Sequence, residues 1–108
     1  SAYNEKGYRF LKEPKITSVK KTSKGIRIEC NTVEAATGYV FYCREKGSSD
    51  WYLIGPSYGV NAKNGKAVYV HENKYLEKGK TYYFKAKAKC ASYYSVSETS
   101  SKGIKYTG

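Results

Sequence analysis

An alternation of apolar and polar residues runs through the stretch 76–90, LEKGKTYYFKAKAKC. Beyond the glycine at position 79, every second residue is apolar or small, and most of the residues between are lysine. Because side chains alternate between the two faces of a β-strand, this pattern predicts a strand with one buried and one solvated face. At helical spacing the lysines would surround the whole helix. The predicted buried face carries Tyr82, Phe84, Ala86, Ala88 and Cys90, and the solvated face carries Tyr83, Lys85, Lys87 and Lys89.

Shorter segments repeat this alternation between turn residues. We predict strands at 14–21, 25–33, 39–46, 51–55 and 67–70, in the segment from Gly79 to Cys90, and at 103–107. In the segment 39–46, Tyr39, Phe41 and Cys43 form one phase, and Val40, Tyr42 and Arg44 form the other, outward phase. The stretches 56–65 and 91–101 are rich in glycine, asparagine or serine, and we expect loops there. Seven short strands without a helical period predict an all-β sandwich of antiparallel sheets.

The residues before the long strand carry a more specific signal. Leu76, Gly79 and Tyr82 have the spacing of a tyrosine corner, in which the ring packs in the core and the hydroxyl bonds to upstream backbone. With ATGYVFY at 36–42 and the tryptophan segment at 51–55, these residues make the chain resemble fibronectin type III modules of Gram-positive bacterial proteins. The resemblance spans 14–107.

The resemblance implies a fold, a location and neighbours. The fold is a seven-stranded antiparallel β-sandwich of the fibronectin type III or immunoglobulin-like class, within residues 14–108. Residues 1–13 are expected to form an N-terminal lead or a linker. Members of this group are secreted or attached to the cell wall or cell surface, so neighbouring domains of a larger parent protein are the expected partners, with no membrane span.

The net charge of the chain indicates a class of binding partner. Lysine and arginine total 20 against 9 acids, for a net charge of +11, and such a field attracts polyanions. A lysine-rich solubilising surface gives the same charge, so both interpretations stay open.

The three cysteines, Cys30, Cys43 and Cys90, lie on apolar phases, where we expect small buried side chains. A bridge between Cys30 and Cys90 is a second interpretation.

No pattern for catalysis stands out. The single histidine, His71, follows the strand at 67–70, and we expect it to be an exposed strand-end residue. The acids are scattered, and neither a CxxC pair nor a phosphate-binding loop is present. We therefore expect no enzyme, no metal site and no cofactor. Only three of the basic residues are arginine, and no recognition helix is predicted, so no specific nucleic-acid binding is expected.

Two surfaces are predicted to bind. The first is the outward face of the sheet, where tyrosines between basic residues suit an anionic wall polymer or a polysaccharide. Lysine is also an ordinary guard against edge aggregation, so a plain solvated face is the alternative. The residues of this first surface are Tyr42, Arg44, Tyr83, Lys85, Lys87 and Lys89. The second is a set of aromatic loop residues: Trp51, Tyr58, Tyr93 and Tyr94.

Trp51 has a competing interpretation, since a tryptophan in this segment can cover the sheet edge and close the core.

The predicted function is a non-catalytic spacer or binding module of a secreted or wall-attached bacterial protein that contacts anionic or glycan surfaces. Two alternatives stay open. One is a carbohydrate-binding module attached to a glycoside hydrolase, and the other is an adhesin module that binds a host protein.

Overall fold

Eight β-strands and one short helical turn make up the regular structure of the described residues. The computed structural model describes residues 12–55, 64–90 and 103–108, and the backbone of 93–96. The strands are β1 (Ile16–Thr22), β2 (Gly25–Asn31), β3 (Gly38–Glu45), β4 (Tyr52–Leu53), β5 (Lys66–Glu72), β6 (Thr81–Cys90), β7 (Tyr93–Val96) and β8 (Ile104–Lys105). A single 3₁₀ turn, Asn73–Tyr75, follows β5.

The strands form two antiparallel sheets. The first contains three strands in the order β1-β2-β5. The second contains β4-β3-β6-β7, and β8 pairs with the beginning of β6. Every strand pair among the described residues is antiparallel, which confirms the all-β class with antiparallel sheets predicted from the alternation.

The two sheets face each other across one hydrophobic core. Side chains from β2 and β5 meet side chains from β3 and β6, and the rings of Phe41 and Tyr69 stack between the sheets with centroids 5.9 Å apart. In β6 the predicted alternation is confirmed, since Tyr82, Phe84 and the two alanines are at most 1% exposed and their neighbours are half-buried. The core is thus built from the period-two positions read from the sequence.

The turn into β6 fixes the end of this sheet. Gly79 has φ +87°, a left-handed conformation that favours glycine. Tyr82 is 1% exposed, and its hydroxyl oxygen accepts the backbone N–H of Glu77 at 2.9 Å. The N–H of Gly79 donates to the carbonyl of Tyr106 at 2.7 Å, so the turn also holds the last residues of the described chain. The geometry is that of the tyrosine corner that the spacing predicts.

Three predicted segments differ from the structure. The stretch 91–101, expected to be a loop, contains β7, which pairs with the last residues of β6. Three of the four residues of β7 are tyrosine or valine, which have high β-propensity. Pairing with the edge of β6 therefore stabilises a strand here, although the surrounding stretch is rich in serine. The strand expected at 51–55 is reduced to Tyr52–Leu53, and the strand at 103–107 is reduced to Ile104–Lys105.

Two side chains also differ from expectation. His71, expected at the exposed strand end, lies inside β5 and is only 4% exposed. The strand continues to Glu72, so His71 keeps the inward phase of Ala67 and Tyr69. Val40, expected on the outward, solvated phase of β3, is 3% exposed although it lies outside the central core cluster.

All three cysteines are free thiols, so the Cys30–Cys90 bridge is not formed. Cys30 and Cys43 are fully buried, as expected for small apolar side chains, whereas Cys90 is half-buried. Burial raises the pKa of Cys30 to about 12 and that of Cys43 to about 11. Both thiols therefore stay protonated and unreactive at neutral pH.

Candidate functional site: a row of cations and aromatic rings

The outward face of the five-stranded sheet brings rings and cations together by strand register. β3 and β6 pair so that Tyr42 lies opposite Lys85 and Arg44 lies opposite Tyr83. In each pair one strand supplies a ring and the other a positive charge. Directly opposed side chains in an antiparallel pair lie about 4.5–5.5 Å apart at Cβ, close enough for ring and cation to touch.

The contacts form a continuous series that we call the cation–aromatic row: Tyr83, Arg44, Trp51, Lys85, Tyr42 and Lys87. The guanidinium carbon of Arg44 lies 4.9 Å from the ring centroid of Tyr83 and 5.3 Å from that of Trp51. Lys85 Nζ lies 4.5 Å from the Trp51 ring and 5.7 Å from the Tyr42 ring. Lys87 Nζ lies 5.2 Å from the Tyr42 ring. All these distances are within the range of cation–π attraction.

Trp51 joins the row through the turn between β3 and β4. Gly47 takes φ +92°, and the Ser48 carbonyl accepts a bond of 2.8 Å from Arg44 Nη1. The Ser48 hydroxyl accepts the N–H of Asp50 at 3.1 Å. These bonds place Trp51 beside Arg44, half-buried and outside the core cluster. The tryptophan thus lies on the basic face, and it does not close the core.

Arg44 and Lys85 are partnered by rings rather than by carboxylates. In the described residues, no acid lies within salt-bridge distance of Arg44 or Lys85. The ion pairs of these residues lie elsewhere, around Glu29, Glu72 and Lys80. The field of the row is therefore positive, with its cations held by rings and, for Arg44, by a backbone carbonyl.

The contacts of this series do not include four of the predicted binding residues. Lys89 lies opposite Gly38 near the end of β6, and its carbonyl accepts the N–H of Thr37 at 2.7 Å. Tyr93 and Tyr94 belong to β7, in register with Cys90 and Lys89, and so are not loop residues as expected. Tyr58 lies outside the described residues.

Histidine, cysteine and acidic side chains do not cluster in the part of the chain that the structure describes. The described residues contain no group of three or more histidine, cysteine or acidic residues that could hold a metal ion. The two ring nitrogens of His71 are buried without a hydrogen-bond partner, and its ring stacks on Tyr75 with centroids 5.5 Å apart. Burial lowers the pKa of His71, which keeps the imidazole neutral at pH 7.

Sequence reasoning missed two features. The first is the place of Trp51 in the row, since local alternation shows the faces of β3 and β6 but not which turn residue reaches across them. The second is a groove of about 560 Å³ beside β5, lined by Lys24, Tyr69, Val70, Glu72, Asn73 and Lys74. A strand prediction extended through His71 to Glu72 would have placed part of that lining.

Comparisons of the sequence with protein families and with curated proteins give no match, so the function is inferred from the fold and the site. No model of a protein family matches the sequence. A search of curated proteins also gives no match. Within the described residues, no helix is long and apolar enough to cross a membrane.

Proposed function

We propose that this chain is a non-catalytic module of the fibronectin type III or immunoglobulin-like class that binds anionic polymers through the cation–aromatic row. In this proposal it belongs to a larger secreted or wall-attached bacterial protein, whose neighbouring domains it also spaces. Support for the module class comes from the two antiparallel sheets and from the buried ring and bonded hydroxyl of Tyr82.

The position of Lys85 between two rings carries the binding proposal. Its ammonium lies 4.5 Å from the Trp51 ring centroid and 5.7 Å from the Tyr42 ring centroid. Each such contact is worth about 0.5–1 kcal/mol at an exposed site, so the rings restrict the lysine before any ligand arrives. A restricted cation loses less side-chain entropy on binding than a free one, whose ordering costs up to about 2 kcal/mol.

Repulsion within the row also favours an anionic ligand. Lys85 and Lys87 are two positions apart on one strand, a separation of about 7 Å, and Arg44 shares the Trp51 ring with Lys85. At the surface, like charges at such distances repel by tenths of a kcal/mol to about 2 kcal/mol. A polymer with carboxylate, sulfate or phosphate groups along its length would replace this repulsion by attraction.

A neutral glycan fits the row less well. Sugars bind aromatic rings through an apolar face, but the Trp51 ring already has two cations within 5.3 Å of its centroid. Stacking of a sugar on this ring would compete with at least one of those contacts. The row therefore favours an anionic polymer over the neutral polysaccharide that a carbohydrate-binding module would take. The adhesin alternative has less support, because Tyr93 and Tyr94 lie in a strand.

Salt-dependent binding to a panel of polymers tests the proposal. A polyuronate, a sulfated glycan and a phosphate polymer should each bind, with affinity that falls as salt rises, whereas a neutral glucan should not. The double variant Arg44→Gln/Lys85→Gln should reduce affinity for the anionic polymers about tenfold or more. Trp51→Ala should weaken binding less, since it frees the cations without removing them.

The matched control is Lys20→Gln/Lys105→Gln, which removes the same charge from exposed residues outside the row. This control should keep most of the affinity. Equal losses in the two double variants would show that net charge alone attracts the polymer, and tight, salt-insensitive binding of the neutral glucan would overturn the proposal.

A further inference from the structure

Among the described residues, β5 is an edge strand whose outer side has no strand partner. β5 pairs with β2 on one side only, and no strand in the described part of the chain pairs with its other side. The strand is seven residues long, with the sequence KAVYVHE, and it contains neither proline nor a bulge. Such an edge presents unpaired backbone groups to any chain that can align with it.

Hydrogen bonds at the two ends of the β2–β5 ladder show which groups are unpaired. The Asn73 N–H donates to the Lys24 carbonyl, and the Thr32 N–H donates to the Gly65 carbonyl. Hydrogen-bonded and non-hydrogen-bonded pairs alternate in an antiparallel ladder, so residues 67, 69 and 71 bond to β2. Residues 66, 68, 70 and 72 therefore direct their N–H and C=O groups to the open edge.

The other edges are protected. β1 follows Pro14, has a register irregularity between Ile16 and Ser18, and carries exposed Lys20 and Lys21. β4 has only two residues and β7 only four. Proline, bulges, lysines and very short strands are the usual means by which sheet edges avoid pairing. β5 contains neither proline nor a bulge, and its one lysine, Lys66, stands at the first residue of the strand.

The sequence of β5 is complementary to itself in one antiparallel register. If a second β5 is centred on Tyr69 opposite Tyr69, then Lys66 lies opposite Glu72 at both ends, and Val68 lies opposite Val70. All four of these positions are among those whose backbone groups point outward. In this register the outward N–H and C=O groups of one strand face those of the other strand, so they can bond to each other. Opposite charges also face each other at both ends.

We propose that this chain forms a twofold dimer by antiparallel pairing of β5 with β5 of a second copy. The two three-stranded sheets then become one six-stranded sheet with the order β1-β2-β5-β5-β2-β1. This dimer is independent of the cation–aromatic row, which lies on the other sheet.

Charge complementarity favours a second copy as the occupant. Two copies of +11 repel each other at long range, so any self-association requires specific local contacts. The edge supplies them, because each copy brings one lysine and one glutamate that meet the opposite charge of the other. The existing ion pairs of these side chains, Lys66 with Glu29 and Glu72 with Lys74, are both 3.9 Å long and easily exchanged.

Sedimentation equilibrium of the full chain, from about 1 μM to 1 mM in about 0.15 M salt, tests the dimer, since this salt screens repulsion beyond about 8 Å. The unaltered chain should reach a monomer–dimer equilibrium. Glu72→Lys and Lys66→Glu each put like charges at both ends of the paired strands, and each should weaken dimerisation about tenfold. The double variant Lys66→Glu/Glu72→Lys restores complementarity and should recover the original constant within about threefold.

Two controls separate pairing from charge and folding. Glu34→Lys makes the same charge change as Glu72→Lys at an exposed turn residue and should leave the dimer unchanged. Val68→Pro removes an outward N–H without removing a bond to β2, and should abolish the dimer while the circular dichroism spectrum stays that of a folded β protein. A chain that is monomeric throughout the range, or a dimer that the double variant fails to restore, would overturn the proposal.

Discussion

Cations on the outward faces of the two sheets have different kinds of partner. On the three-stranded sheet, Glu29 lies 3.4 Å from Arg27 and 3.9 Å from Lys66. The Thr17 hydroxyl donates to the same carboxylate at 2.8 Å. On the five-stranded sheet, Arg44 and Lys85 contact rings and have no carboxylate partner in the described residues.

This difference locates the excess charge. A net charge of +11 alone does not distinguish a binding surface from a solubilising one. On the first sheet the Thr17 bond, together with Lys66 and Arg27, keeps the pKa of Glu29 below its ordinary value, so an ionised carboxylate faces Arg27 and Lys66 at neutral pH. On the second sheet the charge is concentrated and held in place. A polyanion should therefore prefer the face on which Arg44 and Lys85 have no carboxylate partner in the described residues.

Removal of the ring between the sheets should have the largest effect, because both faces depend on it. Phe41 is fully buried behind the cation–aromatic row and stacks on Tyr69 of β5. Phe41→Ala should lower the free energy of unfolding by about 3–5 kcal/mol, measured by urea denaturation. Phe41→Leu keeps more of the volume and should cost less. A loss below about 1 kcal/mol for the alanine variant would contradict the shared core.

Acid should act on the three-stranded sheet through His71. Burial lowers the pKa of His71 below its ordinary value of 6.5, and neither ring nitrogen has a hydrogen-bond partner. The unfolded chain therefore binds a proton more readily than the folded one. Stability should be highest above pH 6.5 and fall as the pH drops from about 7 to 5.

The matched variant is His71→Leu, which keeps the bulk and removes the titrating group. Its unfolding free energy should change much less between pH 7 and 5 than that of the unaltered chain, and at pH 7 the variant should remain folded. Thermal unfolding at several pH values measures both. An equal acid dependence in the two proteins would show that another group is responsible, and the adjacent Glu72, which opposes the lowered pKa, would be tested next.

Much of the fold was predictable because its signals are local. The period-two pattern of β6 identifies its buried face without knowledge of any other strand, and Gly79 with Tyr82 identifies the turn before it. β7 was missed because its stability comes from pairing with β6, which composition does not reveal. His71 was misplaced because the end of β5 depends on its partner β2, which continues the ladder to Glu72.

The site was predictable only in pieces. Alternation places Tyr42, Arg44 and the lysines of β6 on outward faces, but the contacts depend on register, which pairs Tyr42 with Lys85. A shift by one residue would put each ring beside a different group. Trp51 reaches the row because the turn after β3 is held by a bond from Arg44 to the Ser48 carbonyl. Such a tertiary contact has no signature at the level of sequence spacing.

The smallest effects should come from single charges, and they should differ between the two faces. Glu29→Gln removes the partner of Arg27 and Lys66, so it should lower the thermal midpoint at pH 7. Because the pKa of Glu29 is lowered from 4.5 in the folded chain, its contribution is present above that pH and lost as the pH falls through the folded value. The difference between this variant and the unaltered chain should therefore shrink as the pH is lowered below 4.5.

Lys85→Gln should behave differently. It loses two ring contacts but also relieves repulsion from Arg44 and Lys87, so its unfolding free energy should change by no more than about 0.5 kcal/mol. The same substitution should still weaken polyanion binding, because binding uses the charge that folding does not need. Two results together would contradict this view: a larger loss of stability for Lys85→Gln than for Glu29→Gln, and an unchanged affinity for polyanions. The cation–aromatic row would then stabilise the fold and would not bind polyanions.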